Sequence, residues 1–330
     1  MSVVSVVLPF RDAESTLLDA VQSILQQQFR DLELIAVDDG SRDGSVASLA
    51  GIEDPRFRLV RNKFDNGVVG ASATGLGLAG GEWFARMDAD DVAMPRRIGE
   101  QLNAAEDDTG VITCGVETID CHGDGIRRYV AWANSLTDHH AMSRSRFIEC
   151  PVINPTAMVR RDWMNRVGGY HDTSWAEDHD LWLRLLAAGC RFVRVPEVLL
   201  QWRDSPERLT RQDPRYGSDA RSRMRAHHLH NLPGVSEHGV VIAGAGPIGK
   251  KLALNLQGEG VEVKGFFDVN PARVGQWIHG AEVAATEQMK SKWRSSIMLG
   301  SVGLKGARST VRQMAIAAGR REGEDFWAVC

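Results

Sequence analysis

Three groups of carboxylates stand out along the chain: Asp38-Asp39, Asp88-Ala89-Asp90-Asp91 and Glu177-Asp178. Two carboxylates one small residue apart can face one hard divalent ion, which takes its other ligands from phosphates and water. Such a site offsets the charge that develops on a departing diphosphate. Asp88 and Asp90 have this spacing across Ala89, and Asp91 is a third candidate. A carboxylate held against a hydroxyl does different work, as a general base contributing roughly 10²–10⁴-fold in rate. Glu177-Asp178, just ahead of the helical run Leu181-Trp182-Leu183, supplies that candidate. Each group also has a plainer reading. Asp38-Asp39-Gly40-Ser41 fits a turn with an Asp cap, and acids before a helix suit its N-terminus. Their order and placement carry the functional reading.

The elements that must position these residues follow from periodicity. Residues 3–8 and 32–37 are short β-branched apolar runs, the pattern of strands buried on both faces. Residues 13–27 place Leu17, Val21, Ile24 and Leu25 at helical spacing. Residues 57–60 and 83–87 predict further strands, and the Gly/Ala-rich stretch 66–78 a helix. Strands alternating with helices imply right-handed βαβ units and a mostly parallel sheet. Ligands in such sheets bind at the carboxyl ends of the strands, and both Asp38-Asp39 and Asp88-Ala89-Asp90 fall there. A strand is predicted over 111–119 and a helix over 178–188. The polar, turn-rich stretch 204–238 holds a boundary near Leu232-Pro233-Gly234. The expected fold class is α/β, with one domain over 1–234, ending in a helical or linker segment from about 204, and a second over 235–330.

That second domain opens on Val240-Val241-Ile242-Ala243 followed by Gly244-Ala245-Gly246-Pro247-Ile248-Gly249, a helix through Leu252 and Leu256, and a strand ending at Asp268. Strand, GxGxxG, helix, strand and an acid about 20 residues on form the dinucleotide fingerprint of a doubly wound Rossmann-like module. The glycines allow backbone to approach a pyrophosphate at a helix N-terminus. Asp268 would bond a ribose hydroxyl. Strands at 296–299 and 326–329 and a helix at 310–318 complete it. Phe267-Asp268-Val269-Asn270-Pro271 through Ile278-His279-Gly280 resembles NAD-sensing domains, which makes NAD(H) the candidate ligand. No His, Lys or Tyr constellation for hydride transfer accompanies it, so a binding or structural module is favoured over an oxidoreductase.

The first two thirds of the chain resembles a family 2 glycosyltransferase with the nucleotide-sugar-binding fold called GT-A. The resemblance runs through Val6-Val7-Leu8-Pro9-Phe10-Arg11-Asp12-Ala13-Glu14, Ser23-Ile24-Leu25-Gln26-Gln27-Gln28 and Val37-Asp38-Asp39-Gly40-Ser41. It continues through Asn66-Gly67, Met87-Asp88-Ala89-Asp90-Asp91, Asn154-Pro155-Thr156, Gly168-Gly169-Tyr170 and Glu177-Asp178-His179-Asp180-Leu181-Trp182-Leu183-Arg184. The ordered series is far more specific than any one member.

The resemblance implies that Pro9 and the backbone around Phe10 and Arg11 border the nucleotide base, with Glu14 nearby. Asp38 and Asp39 would contact base and ribose, and Asn66 belongs to the same binding series. Asp88 and Asp90 would hold Mn²⁺ or Mg²⁺ on the diphosphate. Asp178 would be the base of an inverting single displacement, with Glu177 shaping the acceptor site. The segment Gln201-Trp202-Arg203, with Arg208 and Arg211 after it, sits where relatives carry a mobile loop over the diphosphate; Arg203 suits bidentate phosphate contact. Two departures matter. Relatives often have Ala-Arg-Asn after the Asn-Gly pair, whereas this chain has Ala71-Ser72-Ala73, so a cation is missing there. Where many have His-Pro-Thr, this chain has Asn154-Pro155-Thr156, and Asn cannot titrate.

The implied reaction transfers a sugar from a nucleotide diphosphate sugar, a UDP-sugar favoured, to a glycan or lipid-linked acceptor in envelope polysaccharide synthesis. A sugar nucleotidyltransferase is the enzymatic alternative, but it opens with a Gly-rich basic phosphate loop that Pro9-Phe10-Arg11-Asp12-Ala13 is not. A nucleotide-responsive, non-catalytic regulator or scaffold is the other. The net charge of −4 argues against a nucleic-acid partner. Five cysteines with no CxxC pair fit a reduced, cytoplasmic protein. No apolar run approaches the ~20 residues of a membrane helix. The basic run 221–230 predicts a helix with a solvated face, and leaves room for peripheral contact at the inner face of the cytoplasmic membrane.

Overall fold

The computed structural model describes residues 2–65, 67–121, 123–205, 208–304 and 306–330. They form two compact units. The first comprises Met1–Met142, Pro151–Thr173 and Glu177–Gln212, and the second Ser143–Cys150, Ser174–Ala176 and Asp213–Cys330. The division falls before the Ser218–His230 helix, not at residue 234. That helix belongs to the second unit because its polar side chains are answered there: Asn255 Nδ2 donates to Ser222 Oγ at 2.8 Å, and Arg225 donates to the Ile148 carbonyl. Arg221 pairs with Glu149 at 3.0 Å. The basic run is thus partly engaged inside its own unit.

The first unit is built on an eight-stranded sheet. Its strands in chain order are β1 (Val4–Phe10), β2 (Leu32–Asp38), β3 (Phe57–Arg61), β4 (Trp83–Arg86), β5 (Val92–Ala93), β6 (Thr109–Ile119), β7 (Met158–Arg160) and β8 (Arg191–Arg203), and the spatial order is β3-β2-β1-β4-β7-β6-β8-β5. The half β3-β2-β1-β4 is parallel. β7 runs antiparallel to β4 and β6, and the long β6–β8 pair is again parallel. β1 is buried along its whole length, as an unbroken β-branched run demands at the centre of a sheet covered on both faces. Its register pairs Phe10 with Asp38 and Val7 with Arg86, so the ends of β2 and β4 flank the end of β1.

β8 was not expected, and Gln201-Trp202-Arg203 is its last turn-free stretch instead of a mobile loop. Its side chains alternate between half-buried and buried from Arg191 to Val195, with Arg191, Val193 and Val195 on the less covered side. The interruption at Pro196 coincides with a shift of register against β6, which hides the period-two signal. Among the described residues, no helix is long and apolar enough to cross a membrane.

The second unit holds a six-stranded sheet of β9 (Val240–Ala243), β10 (Val263–Asp268), β11 (Trp277–Ile278), β12 (Ala281–Ala285), β13 (Ile297–Gly300) and β14 (Phe326–Ala328). The order is β11-β12-β10-β9-β13-β14, parallel except for the β11–β12 pair. The Pro247–Gly258 helix follows β9 through a turn so tight that a Cβ on Gly249 would lie 1.9 Å from the Gly244 carbonyl oxygen. Gly244 itself has φ +116°, open to glycine alone at little cost.

In the first unit, the Gly67–Leu78 helix lies on β1 through Gly75, where a Cβ would stand 2.3 Å from Val7 Cγ1. Gly75→Ala should therefore force Val7 or the helix to move and cost about 1–3 kcal/mol in denaturant unfolding. Gly77→Ala on the same helix meets nothing within 4 Å and should be neutral or stabilising. Equal effects of the two would show that this contact does not set the helix position.

Candidate functional site

At the ends of β1 and β2, two loops are laced together by side-chain acceptors. Asp12 Oδ1 accepts the Arg42 amide at 2.7 Å, Glu14 Oε2 accepts the Gly44 amide at 3.1 Å, and Asp43 Oδ2 accepts the Glu14 amide at 3.0 Å. The lacing holds Asp12 at φ 50°, a costly conformation for a residue with a Cβ. Pro9 and the Phe10 ring are buried, so both offer only backbone to a ligand, while Arg11 is exposed. Asp38 accepts the Ser41 amide at 2.9 Å, and Asp39 accepts Asn62 Nδ2 at 2.6 Å. Asn62 in turn accepts the Thr74 hydroxyl at 2.9 Å, which fixes the orientation of the Asp39 carboxylate. Asn66 lies outside the described residues.

At the end of β4 the carboxylates gather. Asp88 Oδ1 accepts Arg86 Nε at 2.9 Å, and Arg86 Nη1 donates to Ser72 Oγ at 2.6 Å. Asp90 is half-buried, and its carboxyl is pushed up by desolvation first and then by Asp88, against the pull of Arg208 and Arg203. Asp91 is only 1% exposed and turned into the protein. Its Oδ1 accepts the Arg203 amide at 2.8 Å, while Oδ2 is buried with no hydrogen-bond partner. Burial, then Asp90 and Asp88, hold the Asp91 carboxyl well above the ordinary range. Asp91 thus braces β8 and does not face outward as a third ligand.

Arg203 ends β8 and donates Nε to the Asp90 carbonyl at 2.9 Å, with a further ion pair to Asp120. Arg208 stacks over the Trp202 ring at 3.8 Å. Arg211 pairs with the buried Asp204 at 2.6 Å. Of these cations, Arg203 and Arg208 are the ones whose charge reaches Asp90.

The third group opens the Glu177–Ala187 helix. Glu177 is buried and Asp178 half-buried, its Oδ1 accepting the His179 amide at 2.7 Å. Desolvation raises the Asp178 carboxyl to about 7, with Glu177 and Asp88 adding to it and the His179 amide and Arg86 opposing. A carboxyl poised near neutral pH is matched to taking up a proton. Tyr170, whose hydroxyl donates to Asn154 Oδ1 at 3.1 Å, lies within reach of the same charges: burial lifts it, and Arg86, Asp178, Glu177 and Asp88 all act on it. The β4 end and the Glu177 helix therefore share one electrostatic neighbourhood.

A hard divalent ion fits this donor set only in part. Asp88 and Asp90 offer carboxylate oxygens of the right kind, but among the described residues no three His, Cys, Asp or Glu side chains converge on one point. Any such ion would need phosphate or water to complete its shell. In the second unit Asp268 accepts the Ala245 amide at 2.8 Å and pairs with Arg273 at 3.0 Å. Gly244, Gly246 and Gly249 form the turn beside it.

Sequence reading missed Arg86, Asn62 and the bracing role of Asp91. Arg86 had a visible signal: a cation in the run Trp83-Phe84-Ala85-Arg86-Met87, which is buried throughout. An ionisable residue in such a strand needs a partner.

Residues 5–168 match the sequence profile described as Glycosyl transferase family 2. The chain is 29% identical to an uncharacterized glycosyltransferase of Haemophilus influenzae, over 61% of this chain and 65% of that one. It is 25% identical to the amylovoran biosynthesis glycosyltransferase AmsE of Erwinia amylovora, over 61% and 76%. It is 31% identical over 30% of its length to the Escherichia coli UDP-Glc:alpha-D-GlcNAc-diphosphoundecaprenol beta-1,3-glucosyltransferase WfgD, covering 40% of that protein. The match thus spans less than two thirds of the Haemophilus and Escherichia relatives. Among solved structures, the mannosyltransferase PcManGT of Pyrobaculum calidifontis, in complex with GDP-Man and Mn²⁺, superposes with a TM-score of 0.51 at 22% identity, over 69% of this chain and 61% of that one. At that identity the likeness is one of fold.

The raised Asp178 carboxyl makes a prediction independent of activity. Its folded value lies above the unfolded one, so its contribution to stability is full below about pH 4 and is lost as pH rises through 7. Asp178→Asn, which cannot ionise, should match the parent at pH 4 and be more stable at pH 8 by roughly 1–3 kcal/mol in denaturant unfolding. A pH-independent difference would contradict the burial of charge at this position.

Proposed function

We propose, starting from a chain that carries a family 2 glycosyltransferase domain over residues 5–168, that it moves a sugar from a nucleotide diphosphate sugar to a glycan or lipid-linked acceptor hydroxyl with inversion. The observation that carries this reading is the shared neighbourhood of Asp88, Asp90 and a half-buried Asp178 whose carboxyl sits near 7. In the reaction, the acceptor oxygen bonds to the anomeric carbon as the bond to the diphosphate oxygen breaks. Asp178 takes the acceptor proton, and the nucleoside diphosphate leaves with the bonding electrons. Glu177 keeps that proton acceptor basic through like charge. Asp88 and Asp90 are the residues that would hold Mn²⁺ or Mg²⁺, whose chemistry is to neutralise the leaving diphosphate. Arg203 and Arg208 lie beside Asp90 and suit the same anion. The loops around Arg11, Asp38 and Asp39 are the candidate base and ribose contacts.

The relatives named above favour envelope glycans as products and a UDP-sugar as donor, while the GDP-Man bound to PcManGT keeps a GDP-sugar in the test. For the second unit we propose a Rossmann-like module. The tight glycine turn supports an NAD(H) or nucleotide cradle, but the Asp268 carboxylate is already engaged by Ala245 and Arg273, which favours a structural use.

Asp178→Asn and Asp88→Ala should each lower transfer at least about 10²-fold in a radiolabelled-donor assay, the scale of a lost general base. Full activity in Asp178→Asn would refute the assignment of the base. In thermal-shift measurements one class of nucleotide sugar should raise the melting temperature with Mn²⁺ but not with EDTA, and the rise should vanish in Asp90→Ala. A metal-independent rise would remove the ion from the mechanism.

A further inference from the structure

Asp39 follows β2 at the sheet edge where β4 also ends, because both strands run parallel to β1 between them. Ligands of parallel sheets bind at that edge. The Asp39 amide donates to the Phe10 carbonyl at 2.9 Å, which fixes the backbone there. Its side chain is fixed by residues further along. Asn62, the first residue after β3, donates Nδ2 to Asp39 Oδ1 at 2.6 Å. Which end of the Asn62 amide faces the acid is dictated by its other contacts. Asn62 Oδ1 accepts the Phe64 amide at 3.1 Å and the Thr74 hydroxyl at 2.9 Å, two bonds that an NH₂ group could not accept. The Thr74 hydroxyl itself accepts the Lys63 amide at 3.1 Å, so its single proton is directed to Asn62. Lys63, Thr74, Asn62 and Asp39 thus form a chain of hydrogen bonds that runs one way and ends on one carboxylate oxygen. Thr74 is 3% exposed, on the Gly67–Leu78 helix, and Asn62 is half-buried.

The second oxygen of Asp39 is left differently. Among the described residues nothing donates to Oδ2, and unlike Asp91 Oδ2 it is not enclosed. Gly67 borders it, and a Cβ built there would meet that oxygen alone, at 3.9 Å, so its flank is open. A carboxylate free to turn accepts from many directions, whereas one pinned through Oδ1 offers Oδ2 to one place. We infer that Thr74 and Asn62 are positioning residues that aim Asp39 Oδ2 at a single N–H or O–H group on the nucleoside of the sugar nucleotide, and so make that group a condition of tight binding. A site built to bond such a group rejects an analogue that lacks it. The inference rests on the sugar-nucleotide reading above for its ligand. A purely structural chain of the same residues would hold the loop after β3 and weaken every nucleotide alike. Aiming one oxygen instead predicts a selective loss.

The test is isothermal titration of the full chain with UDP and GDP, their 2′-deoxy and 3′-deoxy counterparts, and 3-methyl-UDP and 1-methyl-GDP. Wild type should bind at least one parent nucleotide and lose about tenfold for one analogue, the scale of a hydrogen bond to a charged group. Loss with a deoxy analogue identifies a ribose hydroxyl as the recognised group, and loss with a methylated one identifies a base N–H. Thr74→Val keeps the shape and removes the hydroxyl. It and Asn62→Ala should each weaken the parent about fivefold and leave that analogue unchanged, so that discrimination falls to about twofold. Thr74→Ser should keep the wild-type ratio, and the two losses combined should do little more than either alone. Asp39→Ala should abolish the same discrimination, which places the response at this carboxylate and not in the second unit. Equal weakening of parent and analogue in Thr74→Val, or an undiminished ratio, would overturn the inference. Should Thr74→Val fail to fold, Asn62→Ala decides it alone. Binding of a parent nucleotide with no analogue discriminated would also overturn it while leaving the sugar-nucleotide reading intact. Failure of wild type to bind either parent would refute that reading, and the inference with it.

Discussion

The site confronts one electrostatic constraint: Asp88, Asp90, Asp91, Glu177 and Asp178 are crowded where water is scarce, and like charges so placed cannot all stay ionised without help. The protein meets the constraint in three ways. Arg86 answers Asp88 from within the strand, and Arg203 and Arg208 act on Asp90 from the end of β8 and just past it. Backbone amides of Arg203 and His179 answer Asp91 and Asp178. What remains unanswered appears as carboxyls displaced upward, Asp178 to about 7.

The sheet makes that crowding achievable. With β1 between β2 and β4 in parallel register, the chain leaves the two strands on either side of β1 at the same edge of the layer, and their acidic ends flank the end of β1. The β4–β7 and β7–β6 pairs then reverse direction, which brings the long β6–β8 pair into the same sheet and sets Arg203 against the Asp90 carbonyl and the Asp91 carboxylate. Gly75 lets the helix carrying Ser72 lie close enough on β1 for a strand arginine to reach it. The charge balance therefore depends on a backbone approach that a single methyl group would disturb.

Much of this was legible in the residues. The β-branched runs at β1 and β2 announce buried strands, and each predicted element of the β3-β2-β1-β4 half is present within a few residues. Placing Asp38 and Asp88 needs only the rule that parallel strands leave their carboxyl ends on one edge of the sheet. The illegible parts share a cause, since they depend on partners distant in sequence. β8 alternates in burial but not in residue type, with Arg194 on its buried side, and is broken at Pro196, so its pattern reads as loop until β6 is seen beside it. Asp91 belongs to the same cluster of letters as Asp88 and Asp90, yet its direction is set by the Arg203 amide far along the chain. Asn62 matters through Asp39 and Thr74, neither of them adjacent. The placement of the Ser218–His230 helix in the second unit depends likewise on Glu149, Ile148 and Asn255.

How an acid's charge is satisfied separates scaffold from site across the whole chain. Asp54 is held below its ordinary range chiefly by the Arg56 side chain two residues away, and Asp213 by Arg215 in the same manner. At Asp268 burial works against the charge, yet the amides of Asn270 and Ala245 and the Arg273 guanidinium more than offset it. These acids are complete within the protein and have no call on a further proton or cation. Asp90, Asp91 and Asp178 are displaced the other way, each by desolvation reinforced by another acid. Asp91 spends one oxygen on β8 and is enclosed, which leaves Asp90 and Asp178 as incomplete charges within reach of solvent. Incomplete charge near a surface is costly to keep, and a fold keeps it where a ligand or a transferred proton completes it. The same criterion sets the β4 end and the Glu177 helix, with carboxyls displaced upward, apart from the glycine turn beside Asp268, whose acid is satisfied within its own unit.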